Sequence, residues 1–375
     1  MATVLICCDK FKGSATSVAV SEALGQGLIR AGHTVLTAPL ADGGDGTLEA
    51  FDSLGYKREP SLATGSGGLK FETQFSLNGQ TAVIEIARIC GLDLVAPEGG
   101  LPSAQSARQA GTWGVGEVIK SALEKGAQRI IIGLGGSATT DAGFGMAQAL
   151  GVEFFDSNGS QVAQVGNIGL VQGISLDHLD PRLEKAKFIV ASDVRNPLCG
   201  VDGAAKIYGA QKGLSAEDTP GVDAAIRNFA NVFEQALGLT TLAQTAGAGA
   251  AGGLGFMAMA LLSAEMRSGV DMILNETGGE KMLAQADLVI TGEGRIDAQT
   301  LSGKAPTGIA KRARAKDIPV LAVCGQSLLD PAISNELFED IYSLTDFESD
   351  INECIRNPLP ILEGIGFNIA KHHLS

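Results

Sequence analysis

Charged and hydroxyl side chains cluster in several glycine-rich segments of this sequence, each close behind a run of apolar residues. The first segment is Asp9-Lys10-Phe11-Lys12-Gly13-Ser14, after the apolar residues 3–8. In an open α/β sheet, ligands bind where the strands end, because loops diverge there and helix N-termini point inward. Lys10, Lys12 and Ser14 are therefore candidate ligands of a phosphate or carboxylate. A solvated turn between strand and helix is the alternative, and for Lys10 alone it is the favoured one.

Residues 39–47, PLADGGDGT, form a second segment of the same kind. Its glycines let backbone amides approach a ligand, while its carboxylates accept hydrogen bonds from hydroxyl groups or hold a metal ion. Asp42 and Asp45 are therefore candidate binding residues. One of the two is expected to serve only as a helix N-cap.

Residues 130–143, IIIGLGGSATTDAG, carry the most specific of the loop signals. A buried strand runs into a Gly-Gly-Ser turn, and a helix follows. Free amides, hydroxyl groups and the positive end of the helix dipole together favour an anion. A polar helix cap needs neither two glycines nor three hydroxyl groups, so we predict phosphate binding here. The candidate residues are Gly135, Gly136, Ser137, Thr139 and Thr140.

Acidic, basic and amide side chains follow the strand predicted at residues 188–191. Asp193 suits a general base or a metal ligand, Arg195 a charge clamp, and Asn196 a hydrogen-bonding partner in phosphoryl transfer. A structural Asp-Arg pair before a proline turn is the alternative, and the residues alone leave both open.

The last polar segment is residues 291–297, TGEGRID, after the strand predicted at residues 287–291. Carboxylates with Arg and Lys at a strand end match what a magnesium nucleotide needs. We therefore expect Glu293 and Asp297 to hold Mg2+, and Arg295 and Lys304 to contact the nucleotide or substrate.

Residues 247–253 formally match the dinucleotide pattern GxGxxG. No strand precedes the match, so it is weak evidence, and close helix packing is the alternative. Gly252 and Gly253 are nevertheless candidates for a loop that brings backbone amides to a phosphate.

Several familiar catalytic signatures are missing from this sequence. Ala298 and Ala305 flank Gly303-Lys304 where a Walker A loop requires Gly and then Ser or Thr. The motifs HRD, DFG, HExxH and GxSxG do not occur, and no Cys/His set has zinc spacing. The sequence therefore gives no support for P-loop, protein-kinase, zinc-site or serine-hydrolase chemistry.

The composition restricts partners and location. A net charge of −14 over 375 residues disfavours nucleic acid and anionic membranes, so an anionic ligand needs a local basic pocket. The six cysteines show no CxxC spacing and no secretory signal is visible, which indicates reduced thiols in the cytoplasm. Residues 246–264 carry no charge, but their Gly- and Ala-rich first half favours a buried helix over a membrane span.

Strand and helix patterns alternate at both ends of the chain, which is typical of a parallel α/β sheet. The middle contains the hairpin signal Asn78-Gly79 between two alternating runs. We therefore expect one α/β domain from residues 1–65 and 285–375, and an inserted mixed-sheet α/β domain from residues 66–284. The ligand is expected in the cleft between them.

Taken in order, these segments resemble the bacterial D-glycerate kinases, the glycerate kinase family of the first type. Resemblance covers nearly the whole chain, and the ordered set is highly specific. The chain departs from the family pattern at Lys10, Ala15 and Asp45, where the family usually has Ser, Leu and Glu; no obvious catalytic group is lost. The matching stretches are DKFKGS (9–14), PLADGGDGT (39–47), GTWGVGE (111–117), IGLGGSATTDAG (132–143), SDVRNPLCG (192–200), GAQKG (209–213), GAGAAGGLG (247–255) and DLVITGEGRID (287–297).

The resemblance implies a flavodoxin-like domain from both chain ends and phosphorylation of D-glycerate by ATP with Mg2+. In that reaction we expect Asp193 to act as the base or as a metal ligand. Lys12, Arg195 and Arg295 would balance phosphate and carboxylate charge. The acceptor hydroxyl, at carbon 2 or carbon 3, stays open, as does assembly into a homo-oligomer.

Two alternative functions remain at this stage. A nucleotide-linked oxidoreductase would use the GxGxxG match, and a non-enzymatic sugar-acid sensor would bind glycerate without consuming ATP. Neither function needs so many carboxylate and hydroxyl groups, so the polar loops argue against both.

Overall fold

A computed structural model gives the fold and describes residues 1–96, 100, 102–297, 300, 305–329 and 337–374. The chain forms two compact units, Met1–Asp42 with Gly269–Ser375, and Gly43–Ser268. These boundaries differ from the expected ones at 65/66 and 284/285. Residues 57–64 pair in the sheet of the second unit, and the helices between residues 269 and 283 pack into the core of the first.

The strands follow the apolar and alternating segments of the sequence. In chain order they are β1 (Thr3–Cys8), β2 (Thr34–Thr37), β3 (Lys57–Thr64), β4 (Lys70–Asn78), β5 (Thr81–Glu85), β6 (Arg129–Gly133), β7 (Glu153–Phe155), β8 (Gly173–Ser175), β9 (Lys187–Ala191), β10 (Glu265–Arg267), β11 (Leu288–Ile296), β12 (Val320–Ser327) and β13 (Asp340–Ser343). The helices are α1 (Ser17–Arg30), α2 (Thr47–Asp52), α3 (Ala87–Cys90), α4 (Leu92–Val95), α5 (Ala104–Gln109), α6 (Trp113–Glu124), α7 (Phe144–Ala149), α8 (Ala204–Tyr208), α9 (Thr219–Leu237), α10 (Ala250–Leu262), α11 (Gly269–Glu276), α12 (Gly279–Leu283), α13 (Ala305–Arg314), α14 (Ile351–Arg356) and α15 (Pro358–His373).

The first unit contains a parallel sheet in the order β13-β12-β11-β1-β2, which is the flavodoxin-like order. Side chains alternate across β1: Val4 and Ile6 pack with α1 and α15, while Leu5 and Cys7 pack with α11 and α13. A strand covered on both faces must be apolar at nearly every position, which explains the run VLICC. The carboxyl end of β1 leads directly into Asp9.

The second unit contains a mixed sheet in the order β10-β9-β6-β5-β4-β3. β5, β6, β9 and β10 are parallel, whereas β4 is antiparallel to both of its neighbours. The hairpin predicted at Asn78-Gly79 joins β4 to β5 and is confirmed. β3 was not predicted, and a separate antiparallel pair, β7 and β8, lies outside the main sheet. The α/β class and the mixed sheet are therefore confirmed.

The uncharged segment 246–264 forms a glycine-rich loop and the buried helix α10. Within the described ranges, none of the helices is long and apolar enough to cross a membrane. All six cysteines are buried free thiols.

Candidate active site

In the first unit, the carboxylate of Asp9 lies close enough to two other carboxylates for their charges to act on it. Asp9 follows β1, Asp42 lies beyond β2, and Glu293 is on β11. Burial and the negative charges of Asp42 and Glu293 raise the pKa of Asp9 to about 8, although the amide and the charge of Lys10 oppose this shift. A carboxyl group with such a pKa lacks compensating positive charge. The cluster therefore favours a bound cation or a proton transfer.

Glu293 and Asp297, the predicted magnesium ligands, are linked through Thr300. Thr300 Oγ1 donates to Glu293 Oε1 over 2.6 Å and accepts from the Asp297 amide over 3.0 Å. Glu293 is a strand residue rather than a loop residue, because β11 extends to Ile296. Arg295 Nε lies 3.7 Å from Asp297 Oδ2, and its side chain is largely exposed.

The chemistry of Glu293 and Asp297 is compatible with a magnesium ion. Among the residues that the structure describes, no group of three or more His, Cys, Asp or Glu side chains is placed to hold a metal by itself. Mg2+, however, usually takes one or two carboxylates together with substrate phosphates and water. Glu293 and Asp297 supply two carboxylates, and the raised pKa of Asp9 indicates a local deficit of positive charge.

The candidates on the first polar segment differ in their surroundings. Lys10 is half-buried and Lys12 is exposed. Ser14 Oγ donates a 2.6 Å hydrogen bond to the carbonyl of Ile355. Because its hydroxyl hydrogen is used within the protein, Ser14 can only accept a hydrogen bond from a ligand. Lys304 lies outside the described residues.

In the second unit, residues 135–140 form a loop after β6 that carries unused donors; we call it the GGSATT loop. The amides of Gly136 and Ser137 donate to no protein acceptor in the described ranges. Thr140 Oγ1 is likewise buried without a hydrogen-bond partner there. Gly136 is exposed, whereas Ser137 and Thr140 are buried. Because buried polar groups are nearly always paired, the groups of Ser137 and Thr140 support the predicted anion site.

Lys212 supplies the positive charge of this loop. Its Nζ donates to Ser137 Oγ over 3.0 Å and to the Thr139 carbonyl over 2.7 Å, and the residue is 3% exposed. Burial lowers the pKa of the ammonium to about 8, although Cys90 and Asp141 oppose this shift. An ammonium has three N–H donors, so one remains for a ligand.

The N-terminus of α7 does not contribute to the anion site, contrary to the prediction. The amides of Gly143 and Gly145 donate to the Asp141 carboxylate over 3.2 and 3.1 Å. Asp141 also accepts from the amide and the hydroxyl group of Thr112. Because the protein's own carboxylate satisfies this helix terminus, the candidate anion site consists of Lys212 and the loop donors.

Gly252 and Gly253 lie against the backbone of residues 139–142. Both have positive φ, and a Cβ on Gly252 would lie 1.9 Å from the Thr139 carbonyl oxygen. The Gly252 carbonyl also accepts a 2.9 Å hydrogen bond from the Ala142 amide. Close packing behind the GGSATT loop thus explains the GxGxxG match without a dinucleotide, and a phosphate contact of these amides stays a prediction. Gly135 has a similar packing role, since its Cβ would lie 2.2 Å from the Cα of Gly44.

The segment after β9 holds Asp193 half-buried and Arg195 exposed. Both side-chain atoms of Asn196 are used by the protein: Nδ2 donates to the Asp202 carbonyl, and Oδ1 accepts from the Tyr208 hydroxyl. Asn196 therefore shapes this segment, while the roles of Asp193 and Arg195 stay predictions.

Neither Asp42 nor Asp45 caps α2, so that expectation is wrong. The N-cap is Gly46, and the Glu85 carboxylate instead accepts from the Leu48 amide over 3.0 Å. Burial raises the pKa of Glu85 to about 7, and the negative charge of Asp45 contributes to the shift. Glu85 thus satisfies the helix terminus from the end of β5.

Comparison with known proteins identifies the family. The model described as "Glycerate kinase family" matches residues 4–374. The chain belongs to the glycerate kinase family. It is 37% identical to glycerate kinase of Bacillus subtilis over 98% of this chain and 96% of the relative. It is 37% identical to glycerate 2-kinase of Escherichia coli over 98% and 97%. A crystal structure described as glycerate kinase 2 from Salmonella typhimurium LT2 aligns with a TM-score of 0.80 at 34% identity over 100% of both chains.

As a member of the glycerate kinase family, this protein is a kinase. In the structure, Thr300 connects Glu293 to Asp297 by hydrogen bonds, and Lys212 connects Ser137 to Thr139. Asp9 and Lys212 are further candidate site residues. The sequence analysis gave them no role, although both lie in the matching stretches. Their signal was present: Asp9 directly follows the apolar residues 3–8, and Lys212 is the only charged residue of the stretch GAQKG.

Proposed function

We propose that this protein transfers the γ-phosphoryl group of MgATP to a hydroxyl group of D-glycerate. Family membership and the names of the relatives support glycerate as the acceptor. The observation that carries the proposal is the buried Lys212 ammonium on the GGSATT loop. In a chain of net charge −14, it provides the local positive site that a phosphate group requires.

In this reaction a bond forms between the glycerate hydroxyl oxygen and the γ-phosphorus. The bond from that phosphorus to the oxygen bridging the β- and γ-phosphates breaks, and ADP leaves with the electron pair. Lys212 and the free amides of Gly136 and Ser137 donate to phosphoryl oxygens, whose charge is spread in the transition state. Lys12, Arg195 and Arg295 add positive charge for the phosphates or the glycerate carboxylate.

Glu293 and Asp297 would hold Mg2+, which neutralises phosphate charge when it is bound. The hydroxyl proton passes to a carboxylate, for which we propose Asp193. Asp9 is the second candidate, because its pKa of about 8 lies close to a neutral working pH.

We propose the 2-hydroxyl group as the acceptor, following the name of the Escherichia coli relative. Two analogues test this choice separately. D-Lactate carries only the 2-hydroxyl group, and 3-hydroxypropionate carries only the 3-hydroxyl group. Phosphorylation of the first alone would support our proposal, and phosphorylation of the second alone would contradict it.

The first experiment is ADP release by the purified protein with MgATP, with and without D-glycerate, followed by phosphorus and proton NMR of the product. Glycerate-dependent ADP with a 2-phosphoglycerate signal is the expected result. Glycerate binding without ATP consumption would favour a sensor instead. Reduction of NAD+ by glycerate would favour an oxidoreductase, although that alternative has lost its sequence support now that Gly252 is explained by packing.

A further inference from the structure

The stretch GTWGVGE, residues 111–117, has a packing role at nearly every position. A Cβ on Gly114 would lie 2.3 Å from the Thr64 carbonyl oxygen, and Glu117 accepts from the Thr64 amide over 2.6 Å. A Cβ on Gly116 would lie 2.7 Å from the Met146 carbonyl oxygen. Trp113 differs: it is the only tryptophan of the chain and 41% exposed, and its indole N–H has no protein acceptor in the described ranges.

Trp113 lines a cavity of about 690 Å3 within the second unit. The other walls come from residues 64–68, from α5 and from residues 163–166. None of the lining residues that the structure describes carries a charge, although charged residues make up 19% of the chain. The polar groups are neutral ones, including the side-chain amides of Gln105 and Gln109, which form no hydrogen bond with the described residues.

Two glycines in these walls have no structural need to be glycine. Gly67 and Gly166 do not have positive φ, and a Cβ on either would meet no atom within 4 Å. Glycine at both positions instead leaves backbone groups open to a ligand.

A neighbouring cavity shares lining residues with both the cavity beside Trp113 and the GGSATT loop. This second cavity, of about 630 Å3, shares Gln105, Gln109, Val165 and Gly166 with the cavity beside Trp113 and extends to Thr140. Gly111 and Gly145 of the first cavity also flank the Thr112–Asp141 hydrogen bonds that support this loop.

We infer that the cavity beside Trp113 binds the nucleobase of the phosphoryl donor. This inference rests on the proposed function. Glycerate is small and anionic, and the cavity offers it no cation. A nucleobase is uncharged, presents an aromatic face to Trp113 and hydrogen-bonding edges to the glutamine amides, and suits a cavity of this size.

The lone tryptophan makes a direct test possible, because all tryptophan emission of the protein comes from Trp113. Adenosine, which has no phosphate, should change this emission saturably, whereas inorganic triphosphate and D-glycerate should leave it unchanged. An unchanged emission while calorimetry records ATP binding would overturn the inference. This assay needs no turnover, so it is independent of the proposed reaction.

Steady-state kinetics give the second test. Trp113→Ala should raise KM for ATP about tenfold or more, as expected for lost base stacking, while Trp113→Phe should largely restore it. KM for glycerate should stay close to the wild-type value.

Gly67→Val should raise KM for ATP by filling the cavity. Leu62→Ala, which shortens an exposed side chain on β3, is the control and should leave KM for ATP unchanged. Glycerate-dependent turnover with an unchanged KM for ATP in both cavity variants would refute the nucleobase site and leave the proposed function intact.

Discussion

Lys212 Nζ donates a 2.7 Å hydrogen bond to the Thr139 carbonyl, and in the described ranges no carboxylate forms an ion pair with this ammonium. A buried ammonium that is hydrogen-bonded but forms no ion pair is costly. A phosphate oxygen would supply the missing negative charge. The burial of Lys212 would thus connect the stability of the second unit to the anion site that we propose.

Lys212→Met should therefore lower kcat by about 100-fold or more, the loss typical of removing one donor to transition-state charge. Lys206→Met, on an exposed position of α8, is the matched control and should keep near wild-type activity. Initial rates at saturating MgATP and glycerate measure both. An unimpaired Lys212→Met enzyme would remove this lysine from the phosphoryl-transfer machinery.

Lys212 should also make stability depend on pH in the alkaline range. The unfolded lysine titrates near pH 10.4 and the folded one near pH 8, so the unfolded chain binds more protons between these values. The contribution of Lys212 to the free energy of unfolding is therefore largest above pH 10.4 and is lost as the pH falls through 8. This contribution is measured by urea unfolding at pH 7.5, 8.5 and 9.5, as the free energy of unfolding of the wild type minus that of Lys212→Met. This difference should rise with pH; a flat difference would contradict the shifted pKa.

Asp9→Asn tests the carboxylate cluster of the first unit. The pKa of Asp9 is about 8 when folded and near 3.9 when unfolded, so its contribution to stability is complete below pH 3.9 and is lost as the pH rises through 8. In buffer without divalent cations, Asp9→Asn should be more thermostable than wild type at pH 8.5, and this gain should shrink as the pH falls toward 4. Added Mg2+ should narrow the gap by stabilising the wild type. A variant less stable than wild type at pH 8.5 would contradict this account.

Asp193→Asn separates the two candidate bases. If Asp193 accepts the hydroxyl proton, kcat should fall by about 10²- to 10⁴-fold with little change in KM for ATP. Asp202→Asn, an exposed aspartate on the same segment, is the control and should remain active. Near-normal turnover by Asp193→Asn, together with loss of turnover by Asp9→Asn, would assign the proton to Asp9.

The apolar pattern of the sequence predicted most strands of the two main sheets. A strand buried on both faces is apolar at nearly every position, and a strand buried on one face alternates between apolar and polar residues. Residues 3–8 are apolar at nearly every position, and the Asn78-Gly79 turn fixes a hairpin locally. β3 was missed because it begins with three consecutive charged residues and contains Pro60, which are tolerated at the sheet edge where it lies.

Site residues were harder to predict because their roles depend on contacts distant in the chain. The Gly-Gly-Ser turn was visible in the sequence, but Lys212 reaches it from more than 70 residues away. The helix dipole was assigned to a ligand although a local signal was available: Asp141 lies three residues before α7, and its carboxylate accepts from the amide of Gly145.

Gly252→Ala tests whether the GxGxxG match is a packing device. The substitution adds strain at φ 69° and places a methyl group 1.9 Å from the Thr139 carbonyl oxygen. Gly238→Ala, in the same unit, is the control. Gly238 has φ 65° and a Cβ there would meet no atom within 4 Å, so its substitution adds backbone strain without a steric clash. We expect Gly238→Ala to cost about 1 kcal/mol and Gly252→Ala about 2–5 kcal/mol in urea unfolding. Equal costs would mean that contact with Thr139 is unimportant and would leave phosphate binding as the explanation of Gly252.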